Sequence, residues 1–370
     1  MTDLLGYPPG YFPPRKEILA LSAHSDAALG WICRSIGATG GRGSSHSFSP
    51  VWGWALAYPE TTGYLIPTLL WYAKHKPAPE LRDLAMQCGK WLCAIQLPEG
   101  GFPGGLAGSR RPSAFNTAMI LFGLAKLNEE FLSEENKLQF RISLRRAFDW
   151  LLRLVDPDGV WRQAGYVPGF VPSYYTRAVW GMLEAGAVLQ QQEALEIMHR
   201  ALQYYAGRFR PDGTVAEWGL RPGPRAFSHT VAYTLEGFLE SSRILAEKEI
   251  LDRIVHAGTV LLGEYRRTGR IAGGYGAGWK GDYRFRCLPG DAQISILFYR
   301  LWETTADEQF RRAAFDLAVD VSGYQKIGRQ ANIHGALAGS APFWGPYLRL
   351  RYPNWGAKFL LDAIAPFLSN

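Results

Sequence analysis

Apolar residues recur along the chain with the spacing of α-helices, in segments of two kinds. In segments 81–95 and 144–155 the large apolar side chains are three or four positions apart, which predicts amphipathic helices with one buried face. The segments of the second kind are apolar nearly all round: 61–72, 117–127, 176–189, 230–245, 292–302 and 355–367. A helix that is apolar on every side must be covered on every side, so this alternation predicts inner helices enclosed by outer ones.

Glycine-rich turns separate the two kinds of segment at nearly equal intervals. One glycine from each turn marks the repeat: Gly41, Gly101, Gly159, Gly213, Gly274 and Gly335, which are 60, 58, 54, 61 and 61 residues apart. Six units of one helix pair each predict an all-α fold, an (α/α)6 toroid. An open solenoid of helix pairs is the competing architecture, but its inner face would be more polar than these segments are.

The composition is that of a folded protein without structural disulfides. Hydrophobic residues make up 47% and aromatic residues 14% of the 370 residues, which is ample for a large core and excludes a disordered chain. No long Pro/Ser/Gly linker divides the sequence, so we predict a single domain over residues 1–370, with residues 1–20 as an N-terminal extension. The four cysteines are scattered without C-x-x-C spacing, so we expect reduced core residues and no metal site.

The charge and the N-terminal segment limit the partners and the location. A formal net charge of +7 favours acidic small molecules or polymers, and the absence of a basic run or an RNA-binding signature predicts no nucleic-acid partner. The first 29 residues contain no apolar stretch long enough for a signal peptide or a membrane span. We therefore expect a cytoplasmic protein without a membrane span.

Six polar residues stand at equivalent places, 15 to 19 positions after the turn glycines, at or just before the starts of the inner helices. They are Glu60, Asn116, Tyr175, His229, Asp291 and Asn354. In a closed toroid these positions converge on one mouth of a central funnel. Asn and Asp at a helix start are ordinary N-caps, so capping is the alternative for three of the six. Glu60, Tyr175 and His229 are poor caps, and we interpret them as members of a site.

Further polar and aromatic residues are predicted to face the same mouth. Tyr64, Tyr233 and Lys358 follow four positions along the inner helices, and Arg177 lies two positions beyond Tyr175. Loops add Trp218, Asp282, Arg284, Trp344 and Tyr352. Aromatic faces beside amides and carboxylates suit sugar rings, and cations suit uronate groups. We predict an acidic oligosaccharide or polysaccharide as the substrate, with no cofactor.

Two chemistries are open on these residues. In hydrolysis, Glu60 and Asp291 act as general acid and base on a glycosidic bond. In β-elimination, His229 or Tyr175 removes the proton next to a uronate carboxylate, which Asn116 and Arg177 neutralise. Tyr233 or Tyr175 would then protonate the leaving oxygen. An epimerase would use the same proton-abstracting groups, and the sequence does not decide among these reactions.

Two segments carry a resemblance to a known superfamily. Residues 96–105, QLPEGGFPGG, resemble the Q-x-x-x-G-G-F/W repeat of squalene cyclases and protein prenyltransferase β subunits, and residues 229–238, HTVAYTLEGF, resemble their H-T-x-x-Y-x-L-x-G-L helix. The resemblance implies an α/α toroid. The D-x-D-D and D-D-x-x-D motifs are absent, and Cys287 lacks the Asp two positions earlier that would complete a zinc site. An isoprenoid cyclase or prenyltransferase-like enzyme, with a proton donor such as Asp291, is therefore the second hypothesis.

Two other blocks resemble a bacterial group associated with surface-polysaccharide gene clusters. They are residues 58–68, YPETTGYLIPT, and residues 339–359, which contain the PFWGPY and YPNWGAKF sequences. This resemblance implies a glycan substrate. A third hypothesis is a non-catalytic glycan-binding scaffold, in which the polar residues of the ring only cap helices.

Overall fold

The chain folds into a closed ring of helix pairs, the predicted (α/α)6 toroid. The computed structural model describes residues 19–130 and 133–368, so the predicted extension at residues 1–20 lies almost wholly outside the described residues. The outer helices are α1 (Leu21–Gly37), α3 (Glu80–Ile95), α5 (Glu134–Leu154), α7 (Glu193–Ala206), α9 (Lys248–Thr268) and α11 (Glu308–Ser322). The inner helices are α2 (Pro59–His75), α4 (Ala114–Glu129), α6 (Thr176–Leu189), α8 (Ser228–Leu245), α10 (Leu288–Thr305) and α12 (Asn354–Ile364).

Contacts between consecutive inner helices close the ring. Each inner helix packs on the next, and α12 contacts α2. The first outer helix, α1, packs against the last inner helix, α12, while the other outer helices pack on the inner helix that precedes them in the chain. This closure excludes the open solenoid. No helix within the described residues is long and apolar enough to span a membrane.

The burial of the two helix types follows the hydrophobic pattern. In outer helix α9 the buried side chains Ile250, Ile254, Ala257 and Leu261 form one face, whereas inner helix α4 is buried at almost every position. Glycines let α2 and α4 approach closely, because a Cβ on Gly63 would lie 2.5 Å from the Cα atom of Ile120. Small residues within the inner segments are thus required by the packing of the inner ring.

Short antiparallel strands lie in the loops at the N-terminal ends of the inner helices. Among the described residues they are β1 (Ser47–Ser49), β2 (Gly53–Trp54), β3 (Arg225–Phe227), β4 (Gly274–Gly276), β5 (Arg286–Cys287), β6 (Ser340–Ala341) and β7 (Tyr352–Pro353). They form the sheets β2-β1-β7, β3-β4 and β5-β6. The pairing of Phe48 with Tyr352 joins the first repeat to the last. Strands β3, β5 and β7 lead directly into α8, α10 and α12, and so fix where these helices begin.

Candidate functional site

A cavity of about 160 Å³ lies at the N-terminal ends of the inner helices. Eleven of its fourteen lining residues carry a side-chain group that can form a hydrogen bond. The lining consists of His46, Tyr58, Glu60, Thr61, Tyr64, Phe115, Tyr166, Tyr174, Leu220, His229, Tyr233, Tyr347, Leu348 and Trp355. It brings together four of the residues predicted from the sequence: Glu60, Tyr64, His229 and Tyr233.

Four of the lining residues hold the same place in their helices, the second position. They are Glu60 of α2, Phe115 of α4, His229 of α8 and Trp355 of α12. In these four helices the second position faces the same central space. Four of the six repeats therefore build the cavity in the same way, and loop residues complete its walls.

Glu60 is the only carboxylic acid among the lining residues of this cavity. Its side chain is buried, and its Oε2 atom lies 2.6 Å from the hydroxyl of Tyr58, which donates to it. Burial raises the pKa of Glu60 to about 7, against the hydrogen bond from Tyr58 and the charge of Arg177, which both lower it. A carboxyl group with this pKa is partly protonated at neutral pH, as a general acid must be.

A chain of hydroxyl groups continues from Glu60 and fits its protonated form. The Tyr58 hydroxyl lies 3.2 Å from that of Tyr166, which donates to the Oδ1 atom of Asn116. Each phenol has one proton to donate. When Glu60 is protonated it donates to Tyr58, and Tyr58 is then free to donate to Tyr166, so every oxygen in the chain has a partner. Asn116, predicted to contact substrate, is buried and instead positions Tyr166; its own Nδ2 donates to the carbonyl of Pro103.

His229 presents an unprotonated nitrogen as a second chemical group of the cavity. Its Nδ1 atom is 2.5 Å from the amide oxygen of Gln293, which only accepts hydrogen bonds, so Nδ1 carries the proton and Nε2 keeps a lone pair. Burial lowers the pKa of His229 to about 3, although the bond to Gln293 raises it. The imidazole is therefore neutral at physiological pH, and its Nε2 atom can accept a hydrogen bond.

A second neutral imidazole, that of His46, belongs to the same cavity and was not predicted. Its ring centroid lies 4.9 Å from that of Trp355 and 5.2 Å from that of Tyr58, with edge-to-face geometry in both pairs. Burial and the nearby charge of Arg351 lower the pKa of His46 to about 4. No helical period marks His46 in the sequence, because it lies in the loop before β1.

The floor of the cavity is a layer of aromatic rings that separates it from two predicted cations. The hydroxyls of Tyr64 and Tyr233 lie 3.2 Å apart, and the Arg177 guanidinium stands 4.6 Å from the Tyr233 ring. Arg177 forms an ion pair with Glu236, and Lys358 pairs with its helix neighbour four residues on. Both cations line a second cavity, at the C-terminal ends of the inner helices. The prediction that they face the first mouth was wrong because Lys358 is the fifth residue of its helix, and because a 3-10 turn delays the start of α6, so that Arg177 lies further from this mouth than its place in the helix indicates.

Two residues predicted as catalytic do not line the first cavity. Tyr175 is buried against Phe115, with ring centroids 5.4 Å apart, and the preceding residue, Tyr174, lines the cavity in its place. Asp291 is fully buried and accepts a hydrogen bond of 2.7 Å from Arg286. Helix α10 contributes no lining residue at all. The proposed pairing of Glu60 with Asp291 across a glycosidic bond therefore has no support in the geometry.

Asp291 and Asn354 differ from Glu60 in helical position. Asp291 is the fourth residue of α10, two places further than Glu60 in α2, which turns its side chain by about 200° around the helix axis. Asn354 is the first residue of α12, and its Nδ2 donates to Thr61 Oγ1 over 2.7 Å. It joins α12 to α2 at the start of both helices.

The loop residues predicted to bind substrate fall into two groups. Trp218 is buried against Trp279, and Tyr352 is buried in β7 against Phe343, so both are packing residues. The backbone carbonyl of Trp344 accepts a hydrogen bond from the side chain of Arg349, and Trp344 does not line the cavity.

Asp282 and Arg284 line a groove of about 510 Å³ beside the cavity. They form an ion pair with each other, and Arg221 and Arg225 add two further cations to the groove. Leu220 lines both the groove and the cavity, so the two spaces adjoin. Within residues 19–130 and 133–368, no three His, Cys, Asp or Glu side chains form a set that would hold a metal ion.

Solved structures of carbohydrate-processing enzymes resemble this fold over nearly the whole chain. An unsaturated glucuronyl hydrolase from Bacillus sp. GL1 is 14% identical with a TM-score of 0.72, covering 94% of this chain and 97% of its own. A cellobiose 2-epimerase from Bacillus thermoamylovorans is 11% identical with a TM-score of 0.71, covering 94% and 99%. An unsaturated glucuronyl hydrolase specific for heparin is 15% identical with a TM-score of 0.70, covering 94% and 96%. No family model and no curated protein matches the sequence. At this identity the likeness establishes the fold.

Proposed function

We propose that the protein is a carbohydrate-active enzyme that hydrolyses the terminal residue of an acidic glycan. The observation that carries the proposal is the presence, in one cavity, of a carboxyl group that is partly protonated at neutral pH and an imidazole that is neutral there. Glu60 donates a proton to the glycosidic oxygen as the bond to the leaving group breaks. His229 Nε2 takes the proton from the water molecule that attacks the anomeric carbon.

The size of the cavity supports action on a terminal residue. About 160 Å³ is well below the roughly 300–1,000 Å³ of pockets that enclose larger ligands, so one sugar ring is the fitting occupant. The rest of the chain would leave past Leu220 into the groove, where Arg221, Arg225 and Arg284 favour acidic groups. Because we predict a cytoplasmic protein, we propose a short or lipid-linked oligosaccharide, in keeping with the resemblance to a group associated with surface-polysaccharide genes.

The lining argues for hydrolysis over β-elimination. Elimination requires that the uronate carboxylate next to the abstracted proton be neutralised. The lining of the cavity contains neither Arg nor Lys, since Arg177 stands behind the ring of Tyr233. The same lining argues against an isoprenoid substrate, because a carboxyl group and two imidazoles stand among its aromatic rings, whereas a prenyl chain requires an apolar wall.

The test is incubation of the full chain with acidic oligosaccharides, with and without an unsaturated uronyl end, while reducing ends and ultraviolet absorbance are followed. Hydrolysis gives new reducing ends without new absorbance, and Glu60→Gln removes it. The matched control is Glu249→Gln, a carboxylate on outer helix α9 whose side chain is 78% exposed. New ultraviolet absorbance would show that the reaction is β-elimination and not hydrolysis. A folded protein that produces neither signal from any acidic oligosaccharide would overturn the proposal.

Epimerisation of a reducing-end sugar is a second candidate, favoured by the pair of neutral imidazoles. His46 and His229 both line the cavity, and two bases on opposite faces of a carbon can remove and return its proton. The cellobiose 2-epimerase with the same fold agrees with this chemistry. Nuclear magnetic resonance of a reducing disaccharide incubated with the protein in deuterated water would show exchange at carbon 2. His46→Gln would abolish formation of the second epimer while leaving hydrolysis measurable.

A further inference from the structure

The second cavity, of about 490 Å³, opens at the other end of the ring. Its walls include the half-buried aromatic side chains of Trp71, Phe122, Trp180 and Tyr299. Tyr64 lines this cavity and the first one, and so marks the layer between them. Such a space, with aromatic faces around a polar floor, has the form of a small-molecule site.

The floor holds a buried carboxylate with unused hydrogen-bonding capacity. Glu236 is 5% exposed, and its Oε2 atom pairs with Arg177. Among the described residues, neither its Oε1 atom nor the Nε atom of Arg177 has a hydrogen-bond partner. Leaving a buried carboxylate oxygen and a guanidinium nitrogen without partners is costly. A ligand that brings a donor for the oxygen and an acceptor for the nitrogen would satisfy both.

The charged residues that line the second cavity determine which hydrogen-bond donor a ligand should carry. The charged lining residues are the cations Arg177, Arg300 and Lys358 and the acids Glu236, Glu240, Glu303 and Asp362. The acids exceed the cations by one. The inner helices also end on this side of the ring, where their carbonyl groups give a partial negative charge. A positively charged donor is therefore favoured over a neutral or anionic one, and the aromatic walls favour cations as well.

We propose that this cavity is a second ligand site, which binds a hydroxylated ammonium compound of the amino-sugar class. The ammonium group donates to Glu236, a ligand hydroxyl accepts from Arg177, and the ring of the ligand packs on Trp180 and Trp71. The proposal is independent of the reaction at Glu60, because the aromatic layer separates the two cavities.

The experiment is a calorimetric titration of the full chain with glucosamine, glucose and N-acetylglucosamine. The three sugars share a ring, but only glucosamine carries a positive charge. We expect glucosamine to bind at least ten times more tightly than the other two. Glu60→Gln, a variant of the first cavity, should leave this binding unchanged, so a failure of the proposed reaction would not affect the result.

Two variants test whether glucosamine binds in the second cavity. Glu236→Gln should weaken glucosamine at least tenfold. Because it leaves Arg177 without its charge partner, Trp180→Leu, at a half-buried wall position, serves as a second variant and should also weaken binding. Equal affinity for the three sugars, no binding of glucosamine, or full binding by a folded Trp180→Leu variant would each overturn the proposal.

Discussion

Replacing Glu60 by Gln is expected to lower activity by about 10²–10⁴ and to stabilise the protein at alkaline pH. The amide keeps the shape of the side chain and an oxygen that accepts from Tyr58, but it removes the charge that the cavity disfavours. The rise of the pKa from 4.5 to about 7 corresponds to about 3 kcal/mol against the ionised form, at about 1.4 kcal/mol for each tenfold change in the equilibrium.

The pH dependence of this effect follows from proton binding. Folded protein holds the Glu60 proton more tightly than unfolded protein, so raising the pH between about 4.5 and about 7 favours unfolding of the wild type. The variant does not titrate there. The difference in unfolding free energy between Glu60→Gln and wild type should therefore grow across this window by up to about 3 kcal/mol and stay constant above it.

Denaturant unfolding at a series of pH values measures this difference, and subtraction of the wild-type curve cancels the titration of all other groups. Glu249→Gln, on the exposed face of α9, should give a difference that is small and nearly independent of pH. Turnover should fall by about 10²–10⁴ in Glu60→Gln alone. A Glu60→Gln curve parallel to that of the wild type from acid to alkaline pH would show that the cavity does not disfavour the carboxylate, and the assignment of Glu60 as an acid would fail.

Three further predictions concern the base, the acid limb of stability and the inner ring. His229→Gln should lower turnover by about 10²–10⁴, and Gln293→Leu should lower it less while changing the pH profile, because Gln293 only fixes the tautomer; equal pH profiles would contradict this role. The buried neutral imidazoles of His46 and His229 bind protons only when unfolded, so their contribution to wild-type stability is lost as pH drops below about 6.5, opposite in sign to the effect of Glu60. His46→Gln should remove up to about 3 kcal/mol of that loss by about pH 4, and an unchanged acid limb in urea titrations would refute it. Gly63→Ala should destabilise the protein by about 1–3 kcal/mol, because the added methyl group would meet α4. Gly263→Ala, which has open space around it in α9, should stabilise the protein by about 0.5–1 kcal/mol. Equal shifts of the melting temperature in the two variants would contradict the packing argument.

The fold was predictable because it repeats. Amphipathic and all-round apolar segments alternate at a nearly constant interval. In a closed ring of helix pairs, the amphipathic segments fit the outer ring, where one face is exposed, and the all-round apolar segments fit the inner ring, which is covered on every side. Glycines at the turns and in the inner segments agree with this arrangement, as the close approach of α2 and α4 at Gly63 shows. The hydrophobic pattern of the segments and the positions of the glycines therefore both predict the toroid that the structure shows.

The site was predictable only to within a residue or two of helix register. Counting from the turn glycines selected Glu60 and His229, which line the cavity, but it also selected Tyr175 and Asn116, whose preceding residues line the cavity instead. The turn loops differ in length, and the short strands and a 3-10 turn at residues 173–175 shift the helix starts. An error of one residue rotates a side chain by about 100°, which is enough to move it out of the cavity.

A comparison of Glu60 with Asp291 shows why the cavity, and not burial alone, identifies the candidate acid. Burial raises the pKa of both carboxyl groups to about 7. Asp291, however, is fully buried against the guanidinium of Arg286, which also holds Asp320, and it lines neither of the two cavities nor the groove described above. Glu60 is held only by phenol groups, which hydrogen-bond to either protonation state, and it faces an open space beside a neutral base. Proton transfer to a ligand requires that combination of desolvation, adaptable hydrogen bonds and room, and of the two carboxyl groups only Glu60 has all three.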